Sequence, residues 1–325
     1  MQNSIKHRNI SPFTALFLGI LIVSMASVLI RGAQKEASSL VIAAYRLAIA
    51  SLILLPIVWL GYRDELRRLT RKQVMLAALS GFFLAIHFAT WISSLEFTTV
   101  ASSVVLVSTT PLWVALLSPL VLHERPGRAV AVGMVIALIG GMLVGVSDVC
   151  RLGSGGLSCP PVAVFVQGKA FWGNLLALMG ALSASVYLLA GRWLRPHVSL
   201  MVYIFTVYGI AAIVLALIVA ISGQRVTGFS PITYLFLVLL AVGPQLLGHT
   251  AYNYGLRYLS AAMVSVAMLG EPIGSTLLAL MILKEIPTLL EIIGGVIILI
   301  GIYLAARAQS QPVPVEHGSI QDRSG

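Results

Sequence analysis

Ten stretches of about twenty apolar residues, separated by short polar segments, set what this chain can fold into. They fall at residues 12–31, 40–62, 74–95, 98–121, 128–147, 171–193, 199–222, 231–255, 259–283 and 289–307. A hydrocarbon layer of about 30 Å takes about twenty residues per helical crossing. Within lipid a helix also pairs its own backbone polar groups. The pattern therefore predicts an all-α polytopic membrane protein with no room for a second folded domain. Composition agrees, since 58% of the residues are apolar and only 10% are charged, against roughly a quarter charged in an ordinary soluble domain. The first run follows Lys6 and Arg8 as a signal peptide would, but it is longer than a typical signal core and lacks a small-x-small cleavage site. It reads as a retained first helix.

The net charge of +10 suggests at first a nucleic-acid or anionic partner. Placing the basic residues removes that reading. With the N-terminus inside, the cytoplasmic set is Lys6, Arg8, Arg63, Arg67, Arg68, Arg71, Lys72, Arg125, Arg128, Arg192, Arg195, Arg257, Arg307 and Arg323. The outer set is smaller: Arg31, Lys35, Arg151, Lys169, Arg225 and Lys284. Basic residues accumulate on the cytoplasmic side of short loops, so both termini are expected inside a cell inner membrane. Cys150 and Cys159 then share the longest outer loop, where an oxidising compartment permits a disulfide and two free thiols are the equal alternative. No cysteine and histidine cluster has zinc spacing, and no glycine-rich phosphate loop occurs, so neither a metal nor another cofactor is expected.

Sliding the chain over itself aligns Ser94–Leu143 with Gly255–Leu304 without gaps, at an offset of 161 residues. Pro111 meets Pro272, Glu124 meets Glu285, Pro126 meets Pro287, Gly133 meets Gly294 and Gly140 meets Gly301. Matching glycines are common in membrane helices, whereas two prolines and a glutamate in one register are not. Five spans per copy is an odd number, so the second copy enters the membrane from the opposite side. The expectation is ten transmembrane helices as an inverted 5+5 repeat, an arrangement typical of secondary transporters with a midplane site between the halves. The chain divides into a cytoplasmic N-terminus (1–11), a first repeat (12–147), an outer loop (148–170), a second repeat (171–307) and a polar, disordered tail (308–325).

Several motifs carry a family resemblance. A mid-helix proline is followed by LLSPLVLHERP in one copy and LLALMILKEIP in the other, then by the glycine-flanked helices GMVIALIGGMLVG and GGVIILIGIYL. With AAYRLAIASLILLP, which contains Arg46, these resemble the paired EamA domains of the drug/metabolite transporter superfamily, from about Pro12 to Arg307. The resemblance implies ten helices in two inverted halves and the export or exchange of small metabolites, amino acids in one branch.

Candidate site residues are those whose chemistry is costly in lipid. Glu271 sits mid-span in LGEP, where a charge costs from about 3 kcal/mol upward. It either carries a coupling proton, holds a substrate ammonium or caps a carbonyl freed by Pro272. Arg46 lies two turns into the second span and either snorkels outward or serves the cavity. His87, Thr90, Trp91 and Ser94 share one helix stripe, as do Gln245, His249, Tyr252 and Asn253, and Tyr187 joins them as a weaker candidate. The alignment places His87 and His249 toward opposite sides of the membrane. Rings and imidazoles along such a stripe suit a flat organic solute. Pro111, Pro244 and Pro272 would free the carbonyls of Val107, Leu240 and Met268, as kinks or gates. Glu124 and Glu285 read as loop anchors for Arg125, Arg128 or Lys284, and the glycines of the fifth and tenth spans as packing residues.

Together these features predict a secondary transporter exporting a small organic metabolite, an aromatic or hydrophobic amino acid first among them, by alternating access. Its partners are the solute, the bilayer and, if transport is coupled, protons. A channel-like facilitated pathway and a membrane-embedded enzyme are the rival readings. No Ser/His/Asp set, paired carboxylates or HExxH supports the enzyme.

Overall fold

Serine and threonine at the polar breaks set where the helices begin. In the computed structural model, which describes residues 10–122, 128–147, 150–153, 156–158 and 162–309, Thr70 closes a capping box with Gln73. Thr99, Ser199, Ser230 and Ser260 each accept a hydrogen bond from the backbone N–H three residues on. The resulting long helices are α1 (Pro12–Ala33), α2 (Ser39–Gly61), α3 (Arg71–Phe97), α4 (Val100–Leu120), α5 (Arg128–Ser147), α6 (Lys169–Leu194), α7 (Leu200–Ser222), α8 (Pro231–Tyr258), α9 (Ala261–Leu283) and α10 (Leu289–Gln309). Among the described residues eight of these are long and apolar enough to cross a membrane, whereas α5 and α10 have shorter apolar stretches, Val135–Ser147 and Leu289–Leu304.

The only described β-structure is an antiparallel pair of Arg151–Gly153 with Gly156–Ser158, in the loop between the two repeats. Cys150 precedes it, buried and disulfide-bonded. Cys159 lies outside the described residues, as do Lys6, Arg8, Glu124, Arg125, Arg323 and most of the C-terminal tail.

Polarity is distributed in reverse of a soluble domain. Leu60, Leu120, Ile221 and Met281 are exposed, while Arg46, Gln245, Asn253 and Glu271 are buried. An apolar exterior is what a lipid solvent selects. Inside, α3 packs along α6, α2 along α7, α1 along α8 and α5 along α10. The last pair meets through glycine. A Cβ at Gly140 would stand 2.6 Å from the Gly294 carbonyl oxygen, and one at Gly301 would stand 2.6 Å from that of Gly133. These distances confirm the glycines as packing residues, since only hydrogen allows the two backbones so close.

Four of the long helices are interrupted. α4 breaks at Ser108–Thr109, just before Pro111, and the Thr110 hydroxyl donates to the Val107 carbonyl at 2.8 Å. α9 breaks at Met268–Leu269, before Pro272, and the Met268 carbonyl accepts the Glu271 backbone N–H at 2.9 Å. Both carbonyls that proline would have orphaned are therefore satisfied locally. At Pro244 the chain widens into a π-helix over Ala241–His249. The break at Ser24–Met25 in α1 has no proline. There the Ser24 hydroxyl donates to the Ile20 carbonyl, Ser275 donates to the Ser24 carbonyl, and Gly274 is crowded against the Ser24 side chain.

Loops from the two halves are tied together at both ends of the bundle. At one end Arg31 donates to the Thr98 carbonyl at 2.9 Å and lies 3.3 Å from Glu285. Glu285 thus pairs with Arg31 and not with the adjacent Lys284. Ser38 bonds Gln224, and Glu36 accepts from the Ser230 backbone N–H, which holds the Glu36 carboxyl below the usual carboxylate range. At the other end Glu65 accepts from the Ser199 backbone N–H at 2.7 Å; within the second half, Arg195 donates to the Asn253 carbonyl at 2.9 Å.

Candidate functional site

Three of the four interrupted helices converge with α3 and α6 on one small cavity. α3 contributes His87 and Trp91, the broken stretch of α4 contributes Ser108, Thr110 and Pro111, the π-turn of α8 contributes His249, and α9 contributes Ser265, Met268 and Glu271. Its water-accessible volume is about 20 Å³, room for about one water and far below the roughly 300 Å³ of a site closed around a small ligand. A larger groove of about 370 Å³ lies beside Leu106, Trp113, Leu138 and Met142. It has no ionisable lining residue, and Leu138 and Met142 are more than half exposed on the apolar surface, so lipid chains suit it better than a polar solute.

Rings form most of one cavity wall. His87 stacks on Trp91 with centroids 5.9 Å apart and planes 10° apart. His249 approaches His87 at 6.3 Å, Phe88 at 5.1 Å and Tyr252 at 5.5 Å. His87 and His249, expected toward opposite sides of the membrane, instead meet at the centre. Helix pairing explains this: His87 is fixed by a 3.0 Å bond between its Nδ1 and the Gly180 carbonyl, where α6 lies close along α3.

Glu271 is 7% exposed and lines the cavity, and among the described residues its carboxylate has no hydrogen-bond partner or ion pair. Capping the kink carbonyl is not its task, because its own backbone N–H does that. Arg46 is fully buried, which overturns snorkelling. Its Nε donates to Gln245 Oε1 at 2.8 Å, and its guanidinium covers the Phe88 ring at 4.2 Å. Arg46 and Glu271 form no ion pair with each other.

The other candidates occupy different places. Thr90 donates back to the Ile86 carbonyl, and Ser94 bonds the Trp91 carbonyl and Ser103, so neither lines the cavity. Tyr187 donates to Asn253 Oδ1 at 2.5 Å, and Asn253 Nδ2 donates to the Tyr208 hydroxyl at 3.1 Å, linking α6, α8 and α7. Gln245 and Tyr252 stand behind the wall, and Pro244 shapes the π-turn that carries Gln245 and His249. Sequence reasoning missed Phe88, Ser108, Ser265 and Met268. Ser108 was discoverable, because it lies three residues before a mid-span proline. Met268 stands likewise four residues before Pro272, whereas Phe88 carries no such signal among so many apolar residues.

A helical framework with an apolar exterior that buries ionisable and ring side chains around one cavity is that of a polytopic membrane protein. The chain belongs to the EamA-like transporter family, whose model matches it twice, over residues 10–146 and 171–307. An uncharacterized transporter of Archaeoglobus fulgidus is 26% identical over 91% of this chain and 97% of its own length. The uncharacterized transporter YetK of Bacillus subtilis is 24% identical over 82% of this chain and 78% of its own. One crystal structure superposes with a TM-score of 0.64 at 21% identity, covering 93% of this chain and 99% of that one, which establishes the shared fold alone.

Proposed function

We propose that the protein is a ten-helix secondary transporter that exports a small organic metabolite, an aromatic or hydrophobic amino acid foremost, through this cavity by alternating access. The observation that carries the reading is the meeting of side chains from both halves, His87 and Trp91 with His249 and Glu271, around one cavity within the membrane. Contacts that recur with their partners exchanged support two inverted five-helix repeats at about 12–147 and 171–307. Gly133 with Gly301 is repeated as Gly294 with Gly140, and Gly180 against Thr90 and Trp91 is repeated as Gly19 against Ala251 and Tyr252. Each swap obeys the 161-residue offset. A pseudo-two-fold of this kind gives two related conformations opening to opposite sides. The contracted cavity, with loops tied at both ends, fits a state between them and fits an open channel poorly. The excess of basic residues on one set of loops supports cytoplasmic termini in an inner-membrane protein. Glu271 is the proton carrier in this scheme.

The test is an efflux and growth-rescue screen against toxic amino-acid analogues, followed by counterflow of each hit in proteoliposomes. Hits that accumulate against their gradient by exchange support a carrier. Flux without exchange, or chemical conversion of the solute, would remove the reading. Trp91→Ala is expected to raise the half-saturating concentration of the hit about tenfold, or about 1.4 kcal/mol, through loss of the ring face. Leu138→Ala on the lipid side should leave it within about twofold, and equal effects would detach Trp91 from the site.

A further inference from the structure

We propose that Arg46, aimed by Gln245, is the anchor for a carboxylate on the transported solute. This rests on the reading of the cavity as the transport site and adds the chemical group that the site selects. The buried groups left without a partner carry the inference. Arg46 Nη1 and Nη2, Gln245 Nε2 and Trp91 Nε1 all lack a hydrogen-bond partner, and all four are donors that cannot accept. Tyr252 Oη and His249 Nδ1 are likewise unpartnered. The unmet demand is thus for an acceptor, at a depth where leaving donors unpaired is costly.

The geometry narrows which acceptor. Gln245 Oε1 takes the Nε–H of Arg46 at 2.8 Å, and Phe88 covers one face of the guanidinium. What remains free is the outer edge of the fork, Nη1 and Nη2 side by side. A planar two-oxygen anion matches that edge with two parallel bonds, which is the geometry of arginine–carboxylate pairs. Among the described residues the ion-pairing carboxylate is Glu285 with Arg31, so no described acidic side chain occupies the fork. Phe88 and His249 form one ring layer between Arg46 and the cavity. The cavity must widen for any solute, and displacement of this layer joins the fork to Glu271. A solute with both carboxylate and ammonium then spans the two charges, the carboxylate on Arg46 and the ammonium on Glu271. Gln245 is a positioning residue: by holding Nε it fixes which edge of the fork points onward, and the π-turn at Pro244 carries it.

The experiment measures the thermal stability of the detergent-purified full chain against rising concentrations of phenylalanine, leucine, methionine and benzoate. Each acid is paired with its amide at equal ionic strength, and sodium phosphate is a separate arm. Ligand that binds only the folded state raises the melting temperature in proportion to its affinity. The expected result is that at least one acid binds tenfold or more tightly than its amide, with phosphate inert. Arg46→Lys, which keeps the charge and loses the fork, should cut that discrimination about tenfold. Gln245→Met should cut it severalfold while amide binding stays within twofold, an outcome that mere loosening of the fold would not give. If Arg46→Lys does not fold, Gln245→Met alone decides the matter. Amides binding as well as acids, no acid binding at all, or discrimination intact in the folded variants would each overturn the anchor. Phosphate competing equally with the acids would also overturn it, as a general anion site. The two readings fail separately. Counterflow without acid preference removes the anchor and leaves transport, whereas fork-dependent acid binding without transport does the reverse.

Discussion

Valine at Gly294 is expected to leave little folded protein, because it strikes the seam where α5 and α10 meet backbone to backbone. Even the first added carbon would sit 2.7 Å from the Gly140 carbonyl oxygen, 2.8 Å from Val144 Cγ2 and 3.0 Å from the Val144 nitrogen. Two of those neighbours are main chain, which cannot rotate aside, so the helices must separate. Overpacking a tight core costs about 1–3 kcal/mol where side chains can yield. Here they cannot, and the same collision recurs at Gly140 and Gly301. Gly294→Val should therefore lower the yield of monodisperse protein in detergent by about tenfold, with Gly294→Ala intermediate. Gly145, which has open space around it, is the matched control. Normal yield and melting temperature for Gly294→Val would show that the two helices are held by something other than close approach.

The second large effect is expected at Glu271. Glutamine keeps the size of the side chain and removes its ability to ionise. The carboxylate makes no hydrogen bond among the described residues, so the exchange breaks no structural contact, and a neutral amide is cheaper than a charge at that depth. Glu271→Gln should therefore fold and still bind solute, though at higher concentration because the amide no longer pairs with an ammonium, while transport driven by a pH gradient falls about a hundredfold, to background. Exchange of solute for solute at equal pH on both sides should persist. Paired proteoliposome measurements, with and without the gradient, separate these outcomes. An unaltered response to the gradient would remove Glu271 as the proton carrier.

Much of the framework was legible in the residues, because lipid imposes a simple rule on every span. The long helices begin and end within a few residues of the hydropathy runs, since Ser and Thr caps lie where the runs stop. Glu271 was legible as a cavity residue for the same reason: a carboxylate at mid-span has few places to go. What escaped depends on neighbours distant in sequence. The Ser24–Met25 break exists because Gly274 and Ser275 press on α1, and nothing local to Ser24 announces that. Arg46 was visible as a charge, but its choice between lipid surface and interior is decided by Gln245, nearly two hundred residues away. Helical spacing put Thr90 and Ser94 on the stripe of His87, yet short hydroxyls turn back to the carbonyl three or four residues earlier. Periodicity reports direction, and the reach of a side chain decides whether it arrives.

The glycine seam has a mechanical corollary. A joint made of main-chain atoms has no rotamers to exchange, so it cannot slip in small steps as an interdigitated one can. α5 and α10 therefore travel together as one strut, and whatever shape change moves a solute has to be absorbed elsewhere. The places already bent, Ser108–Thr109 in α4 and Met268–Leu269 in α9, border the cavity and flank that strut. If the proposed alternating access holds, their torsions are the ones to follow in any second conformation.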